Sequence, residues 1–175
     1  MHQRGFTLIE IIVGIVTLGI ALVVLSTLLF PQAPRSAGPL LQARASALGQ
    51  MFINEVMGKA FDESSDMSGG YTRCSDSGTC TAPGALGAEE ATRSNYDDVD
   101  DFNGLSTQAG DEIDGVLLQG GVNERFQNFS FAISVAYSDG SAQVQSTVTR
   151  FKRVDVTISA PNSQEFHFTA VKGDY

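Results

Sequence analysis

A long stretch near the start of the chain is almost entirely apolar. From Phe6 to Phe30 the sequence runs through 25 residues in which Glu10 is the only ionisable side chain. Because a helix rises about 1.5 Å per residue, about 20 such residues cross a hydrocarbon layer of about 30 Å. The pattern therefore predicts a transmembrane helix over residues 6–30.

A second helical pattern follows a stretch that contains prolines. Pro31 and Pro34 remove backbone donors, so we expect residues 31–39 to form a loosened hinge. Beyond the hinge, residues 40–61 carry apolar side chains at three- and four-residue steps, which is typical of an amphipathic helix. These side chains are Leu41, Ala45, Leu48, Phe52, Val56 and Ala60.

The last third of the chain alternates between apolar and polar positions with a period of two, which predicts β-strands. Residues 129–137 show the clearest alternation, and residues 153–159 and 165–171 follow the same pattern. Residues 143–149 offer a weaker strand. We expect an antiparallel meander, and the order of helices and strands predicts the α+β class.

The chain is acidic, with a formal net charge of -9 and an isoelectric point near 4.5. Its 11 basic residues are scattered, whereas a surface that binds nucleic acid needs clustered lysine and arginine. We therefore expect no nucleic-acid partner. An acidic balance is typical of an exported surface that charge keeps soluble.

Arg4 gives the apolar segment an orientation. It lies on the short side of the run, so the positive-inside rule leaves Met1 cytoplasmic and the C-terminal body outside. An ordinary secretory signal has an apolar region of about 7–15 residues followed by a small-residue cleavage site, and the run here is longer and lacks that site. A plain signal-anchor stays open, but it does not explain Glu10.

Glu10 is an expensive residue for a membrane span. A carboxylate costs about 2.5–3.5 kcal/mol at the centre of the span on insertion scales, and less near its end. One explanation is that the side chain snorkels to the lipid headgroups. The other is that it meets a cationic partner inside the apolar layer, where such a pairing is strong.

The segment Arg-Gly-Phe-Thr-Leu-Ile-Glu at residues 4–10 resembles the class III signal of type IV pilin prepilins. In that family a membrane-embedded prepilin peptidase cuts after the glycine and methylates the new N-terminal phenylalanine. The resemblance implies that residues 1–5 are a leader, that cleavage falls between Gly5 and Phe6, and that Phe6 becomes N-methylphenylalanine. It further implies that Glu10 neutralises the new amine of a neighbouring subunit and so sets the stagger between subunits.

The same resemblance implies a fold, a location and a set of partners. The type IV pilin fold has a long N-terminal helix, first transmembrane and then amphipathic, packed on a C-terminal antiparallel sheet, with residues 62–175 as the periplasmic head. The subunit would sit in the inner membrane as a single-pass protein and later become extracellular in the pilus. Its partners would be the prepilin peptidase, major and other minor pilins, the inner-membrane assembly platform and membrane lipid.

Two segments of the body point to a branch of this family. Tyr-Asp-Asp-Val-Asp-Asp-Phe-Asn-Gly-Leu, from Tyr96, and Lys-Arg-Val-Asp-Val-Thr-Ile-Ser-Ala-Pro, from Lys152, resemble minor pilins of the MSHA (mannose-sensitive haemagglutinin) pilus. That implies a part in pilus initiation and surface attachment. A minor pseudopilin of type II secretion shares the N-terminal motif and stays an alternative. So does an adhesive tip in which residues 62–114 contact a sugar or a surface.

Residues 62–114 are rich in Ser, Gly, Asp and Thr and show little periodicity. We expect an irregular surface region, since the stretch is too long for a simple connection. It contains Cys74 and Cys80, and an exported setting favours a disulfide between them. A zinc site is disfavoured because it needs about four ligands and the only histidines are His2 and His167.

An acidic segment at residues 96–104 offers oxygen ligands of the kind that calcium prefers. The candidates are Asp98, Asp100, Asp101 and Asn103. Their spacing does not fit the EF-hand, because aligning the Asn-Gly step places Val99 at the first ligand position. The alternative, which we favour, is a solvated acidic turn in which Asn-Gly supplies a positive φ. We expect no resident metal and no other cofactor.

No catalytic motif emerges from the sequence. The Ser-x-x-Lys, Gly-x-Ser-x-Gly, Walker and Rossmann patterns are absent. His167 falls in a predicted strand with no nucleophile motif near it, and we expect it to be an exposed strand histidine. The chain is therefore not expected to be an enzyme.

Overall fold

The structure is a computed structural model in which residues 7–29, 32–67, 70–108 and 126–175 are described, the side chains of residues 28–37 excepted. The chain divides into two compact units, Met1–Leu41 and Gln42–Tyr175. Two long helices come first, followed by short helical turns and a four-stranded antiparallel sheet. This is the α+β arrangement that the sequence predicts.

Helix α1 spans Leu8–Leu29, a length of 22 residues. It lies within the predicted segment 6–30 and is apolar on all sides, so it has no polar face to present to water. Residues 30 and 31 lie outside the described part of the chain.

Helix α2 spans Gln32–Met57, and it both begins and ends earlier than the predicted helix at residues 40–61. The stretch predicted as a loosened hinge, residues 31–39, is helical from Gln32 onward and includes Pro39 inside the helix. Pro34 falls in the first turn, where a missing backbone donor costs no helical hydrogen bond. The prolines therefore do not stop the backbone from adopting helical geometry here.

The chain leaves the helical path after Met57 because another segment competes for its backbone. Ala60 forms a parallel bridge with Asp98. The Ala60 amide donates to the Asp97 carbonyl at 3.0 Å, and the Val99 amide donates to the Ala60 carbonyl at 3.1 Å. This pairing joins the exit of α2 to the acidic segment, which the local periodicity of the sequence does not reveal.

The sheet has the strand order β1-β2-β3-β4, and all neighbours are antiparallel. Strand β1, Ser106–Thr107, is a two-residue edge. The other strands have nine residues each and are β2 (Ser130–Ser138), β3 (Phe151–Ser159) and β4 (Glu165–Gly173). They match the predicted meander with shifts of one or two residues at their ends.

The weaker strand predicted at residues 143–149 is wrong. Only Val144 pairs with the sheet, through an isolated bridge to Ser138. Asp139 Oδ1 accepts hydrogen bonds from two following backbone amides, at 2.8 and 2.9 Å, and folds the chain into a turn. The Thr149 hydroxyl then donates to the Ser138 carbonyl at 2.6 Å. Side-chain bonds to the backbone have replaced the strand ladder.

Helix α2 packs on one face of the sheet. Phe52 contacts Phe131 of β2, with ring centroids 4.2 Å apart. Gly49 faces Phe168 of β4 so closely that a Cβ at this position would lie 2.3 Å from the ring. The helix face predicted to be apolar supplies four of the buried residues, namely Ala45, Leu48, Phe52 and Val56.

The strand register arranges the inner face of the sheet in rows across β2, β3 and β4. Three successive rows are apolar, and they are Phe131, Ile158 and Phe166; then Ile133, Val156 and Phe168; then Val135, Val154 and Ala170. The next row consists of Tyr137, Lys152 and Lys172. Two lysines thus occupy inward positions at one end of the sheet, where the pattern would otherwise place apolar side chains.

Candidate functional site

Helix α1 in the first unit is apolar, and it is exposed from Leu8 to Thr27. Residues Leu8–Thr27 of α1 have a mean hydropathy of 2.8, and each large apolar side chain among them is exposed. The Thr17 hydroxyl donates to the Val13 carbonyl at 2.9 Å, and the Ser26 hydroxyl donates to the Leu22 carbonyl at 2.8 Å. These hydroxyl groups are thus satisfied within the helix, as a hydrocarbon environment requires.

By length and composition, α1 is long and apolar enough to cross a membrane, and it alone among the described helices passes that test. Glu10 lies exposed in its first turn and is the only ionisable residue of the helix. A carboxylate in this position complements the positive end of the helix dipole. Glu10 forms no ion pair with any described residue. The predicted cleavage site, Gly5 and Phe6, lies outside the described residues.

The core of the second unit contains a buried lysine. Lys152 is 0% exposed, and its Nζ donates to Asp100 Oδ1 at 2.6 Å, to Asp62 Oδ2 at 3.0 Å and to the Phe61 carbonyl at 2.7 Å. Both aspartates are also 0% exposed. All three ammonium protons therefore have acceptors, which is the condition under which a buried charge is tolerated.

Aromatic rings cover the buried ammonium. Its Nζ lies 4.6 Å from the centroid of Phe61 and 5.4 Å from that of Tyr137. The Tyr137 hydroxyl donates to the Thr81 carbonyl at 2.7 Å. Burial, and then the charges of Asp62 and Asp100, raise the pKa of Tyr137 well above its usual range. The phenol therefore stays protonated and remains a donor.

The acidic segment does not form the solvated turn that we favoured from the sequence. Asp98, Asp100 and Asp101 are buried, with exposed fractions of 1%, 0% and 2%. Asp98 Oδ1 accepts from the amides of Asp100 and Asp101 at 2.9 and 3.2 Å. Burial, and then a hydrogen bond to Asp100, raise the pKa of Asp98 to about 8. Backbone amides and Lys152 therefore hold these carboxyls inside, which the sequence alone does not indicate.

The four residues proposed as calcium ligands are not brought together by the structure. Asn103 Nδ2 donates to the Leu86 carbonyl at 3.0 Å, and its Oδ1 accepts from the Val135 amide at 2.9 Å. Asn103 therefore ties the loop to the sheet, and the Lys152 ammonium and the local amides hold two of the aspartates. Asp101 lies close to two further acidic side chains, those of Glu89 and Glu90.

Cys74 and Cys80 form the disulfide that the sequence predicts. Cys74 is 0% exposed and belongs to a cluster with Phe61 and Tyr137, and it opens the short helix α3, Cys74–Ser77. The disulfide therefore fixes the irregular region directly beside the residues that surround the buried lysine.

Sequence reasoning missed the two inward lysines. Lys172 Nζ donates to the Met57 carbonyl at 3.0 Å and to the Lys59 carbonyl at 2.7 Å, where it binds carbonyls at the C-terminal end of α2. Burial lowers the pKa of Lys172. The sequence does contain one signal for Lys152. Its position in the strand alternation places it on the same side of β3 as Val154. A lysine in the inward phase of a strand indicates a buried charge that needs partners.

His167 is exposed on β4, as expected. Its Nδ1 lies 3.1 Å from the Thr157 hydroxyl, and its Nε2 lies 3.8 Å from a Glu165 carboxylate oxygen. These are contacts of a surface side chain on the outer face of the sheet.

No protein-family model matches the chain, and neither a curated protein nor a solved structure is similar enough to count as a match. The chain's own architecture therefore carries the argument. An apolar N-terminal helix precedes a four-stranded antiparallel sheet, a layout consistent with a pilin-like subunit.

Proposed function

We propose that this chain is a minor pilin, a subunit of a type IV filament of the MSHA type, with a body pattern that resembles the minor pilin MshD. The observation that carries the proposal is an exposed apolar helix whose single charge, Glu10, follows the Arg-Gly-Phe-Thr-Leu-Ile-Glu segment. In this proposal α1 holds the subunit in the inner membrane, and later lies among the helices of neighbouring subunits in the filament.

The chemistry of Glu10 explains why such a helix would carry a charge. Cleavage between Gly5 and Phe6 would create an amine at the apolar start of the helix. The amine on one subunit and the Glu10 carboxylate on the next would each be costly alone in a low dielectric, and their pairing offsets both costs. The amine and the carboxylate meet only at one axial stagger between neighbouring helices. Their pairing would therefore fix the relative position of the two subunits.

The second unit supports the proposal as a head. Its α+β arrangement, with α2 packed on an antiparallel sheet through Phe52 and Phe131, is what the type IV pilin fold requires. The disulfide between Cys74 and Cys80 suits an oxidising periplasmic and extracellular setting. The proposed partners are the prepilin peptidase, major and other minor pilins, the inner-membrane assembly platform and lipid.

The N-terminal residue of the mature protein tests the proposal. Intact-mass analysis and N-terminal sequencing of the protein from its native cells should find N-methylphenylalanine derived from Phe6. A Gly5→Leu variant should keep its leader, whereas Gly14→Ala should be cleaved normally, because a Cβ at Gly14 meets no atom within 4 Å. A mature protein that still begins at Met1 would remove the proposal.

A pseudopilin of type II secretion would give the same N-terminal result. Location separates the two, because a minor pilin should be found in filaments sheared from the cell surface and a pseudopilin should remain with the cell envelope. Deletion of the gene should abolish surface filaments in the first case and protein secretion in the second.

A further inference from the structure

Five carboxylates from three segments of the chain, one of them the acidic segment, lie close together. They are Glu63, Glu89, Glu90, Asp97 and Asp101, named here the five-carboxylate cluster. They form two overlapping groups that share Glu90, and within each group carboxylate oxygens lie within 4.8 Å of one another. None of the ion pairs between described residues includes a member of the cluster. The fold, and not a run of charge in the sequence, brings these groups together.

Two oxygens of the cluster are buried without a hydrogen-bond partner. They are Asp101 Oδ1 and Glu90 Oε2. Asp101 is only 2% exposed, and its other oxygen accepts from the amides of Asp97 and Asp98 at 2.9 and 3.1 Å. The amides thus fix the carboxylate and leave Oδ1 unsatisfied in the interior. Buried polar atoms of folded proteins nearly always have a partner, so an unsatisfied pair in one group indicates a missing ligand.

The charge of the cluster indicates that the missing partner is positive. Carboxylate oxygens lie within 4.8 Å of one another in each group. No cation among the described ion pairs is paired with any of the five carboxylates. Carboxylates in this arrangement repel one another unless a proton or a metal cation lies between them.

The donor set selects among cations. It consists of oxygen alone, whereas zinc prefers histidine and cysteine ligands. Magnesium demands a near-octahedral shell and keeps its waters, whereas calcium accepts six to eight oxygens in irregular geometry. Glu63, Glu89 and Asp97 are exposed, so an ion can enter and water can complete its shell. A cavity of about 260 Å³ borders Glu63 and Asp97.

We propose that the five-carboxylate cluster binds a calcium ion. The ion would tie the chain after α2 to the loop that follows the disulfide and to the acidic segment. The site shares only Asp101 with the ligands considered from the sequence. It goes beyond the filament role proposed above and does not depend on it, because calcium binding by the head is measured without filaments.

Calorimetry and thermal unfolding of the full chain in detergent micelles test the site. After removal of metals with a chelator, calcium chloride should bind with a Kd of about 10⁻⁴–10⁻³ M, the range of extracellular sites. Calcium at a hundred times Kd should raise the Tm by about 5 °C or more. Magnesium chloride at equal ionic strength should raise it much less.

Matched variants assign the effect to the cluster. Glu90→Gln removes the charge that both groups share and should weaken calcium binding about tenfold or more, since affinity follows the number of charged ligands. Glu165→Gln makes the same change at an exposed position on β4 outside the cluster and should leave the Kd within about twofold, because surface charges are well screened. If Glu90→Gln does not fold, Glu63→Gln carries the same test at an exposed side chain.

Three results would overturn the proposal. The first is the absence of both binding heat and a calcium-dependent Tm in the unmodified chain. The second is an equal loss of calcium response in Glu165→Gln, which would show general charge screening. The third is a Glu90→Gln chain whose calcium response is unchanged, because shared protons would then account for the unsatisfied oxygens.

Discussion

Lys152 Nζ donates to Asp100 Oδ1 across 2.6 Å, and neither side chain is exposed to solvent. Asp62 also pairs with Lys152, and the three side chains lie at one end of the inner face of the sheet. The lysine is the only cation paired with these two buried carboxylates among the described residues. Their stability in the interior therefore depends on it.

We expect Lys152→Met to destabilise the fold strongly. The substitution keeps most of the side-chain volume but leaves Asp62 and Asp100 buried without a counter-charge, which costs about 3–5 kcal/mol. Urea unfolding of the full chain in micelles, followed by circular dichroism, measures the loss. Combining Lys152→Met with Asp62→Asn and Asp100→Asn should recover part of the stability, because the uncompensated charges are then gone.

Arg150→Met provides the control for this prediction. Arg150 pairs with Asp76 at the surface, where the two side chains are 59% and 50% exposed. Loss of such a pair costs less than about 1 kcal/mol. Equal losses in the two variants would contradict the central role assigned to Lys152.

Gly49 should not tolerate alanine, although alanine favours helices. A Cβ at Gly49 would lie 2.3 Å from the ring of Phe168, so the ring or the helix must move. Overpacking of this kind costs about 1–3 kcal/mol, against an intrinsic helical gain of about 1 kcal/mol. Gly38→Ala, in the same helix with no atom within 4 Å, should be neutral or stabilising. Chemical denaturation compares the two, and a stable Gly49→Ala chain would argue against close packing of α2 on β4.

The Tyr137 phenol should make the fold sensitive to alkali. Burial raises its pKa in the folded chain, whereas an unfolded tyrosine releases its proton near pH 10. The unfolded state therefore binds fewer protons above about pH 10, and the stability contributed by this group falls as pH rises. The ultraviolet absorbance of tyrosinate should report Tyr137 only when the chain unfolds.

Phenylalanine variants separate that signal from the other tyrosines. Tyr137→Phe should leave the tyrosinate absorbance gained before unfolding unchanged. Tyr71→Phe, at a fully exposed position, should reduce it. Loss of early amplitude in Tyr137→Phe would mean that the phenol is accessible in the folded chain.

Glu10→Ala should separate processing from assembly. We expect the variant to be cleaved and methylated normally and to be largely missing from sheared filaments, because its carboxylate would no longer meet the amine of a neighbour. Thr17→Ala is the matched control, since the Thr17 hydroxyl is already bonded within its own helix. Normal incorporation of Glu10→Ala into filaments would refute the pairing and leave the cleavage prediction standing.

The sequence predicted those parts of the fold that local periodicity controls. Alternation at Phe131, Ile133 and Val135 identified a strand whose inward face the structure confirms, and the spacing of Leu48 and Phe52 identified the buried face of α2. Each of these patterns reports which face of one helix or strand packs against the core. They are informative because one face of each element must avoid water.

The contacts that give the head its charged interior arise at long range. Lys152 meets Asp62 and Asp100 from a distant part of the chain. The only indication of this contact in the sequence is that Lys152 occupies an inward position of its strand. The five-carboxylate cluster was likewise hidden, because Glu63 and Glu89 belong to segments without periodicity. Such groupings depend on how loops close over the sheet, which short sequence windows do not encode.

The bridge between Ala60 and Asp98 brings together the two ends of residues 61–97, the excursion that contains the disulfide. The two bridged residues form a narrow neck for it. The chain leaves α2 and returns toward the sheet at nearly the same point. Residues 61–97, which lie between, can therefore change in length at a small cost in loop-closure entropy. Phe61, Asp62 and the buried Cys74 must be kept for the core, and Glu63, Glu89 and Glu90 must be kept for the five-carboxylate cluster. The exposed positions between them can vary in descendants of this protein. Surface specificity can then diversify while the helix and strands stay as they are.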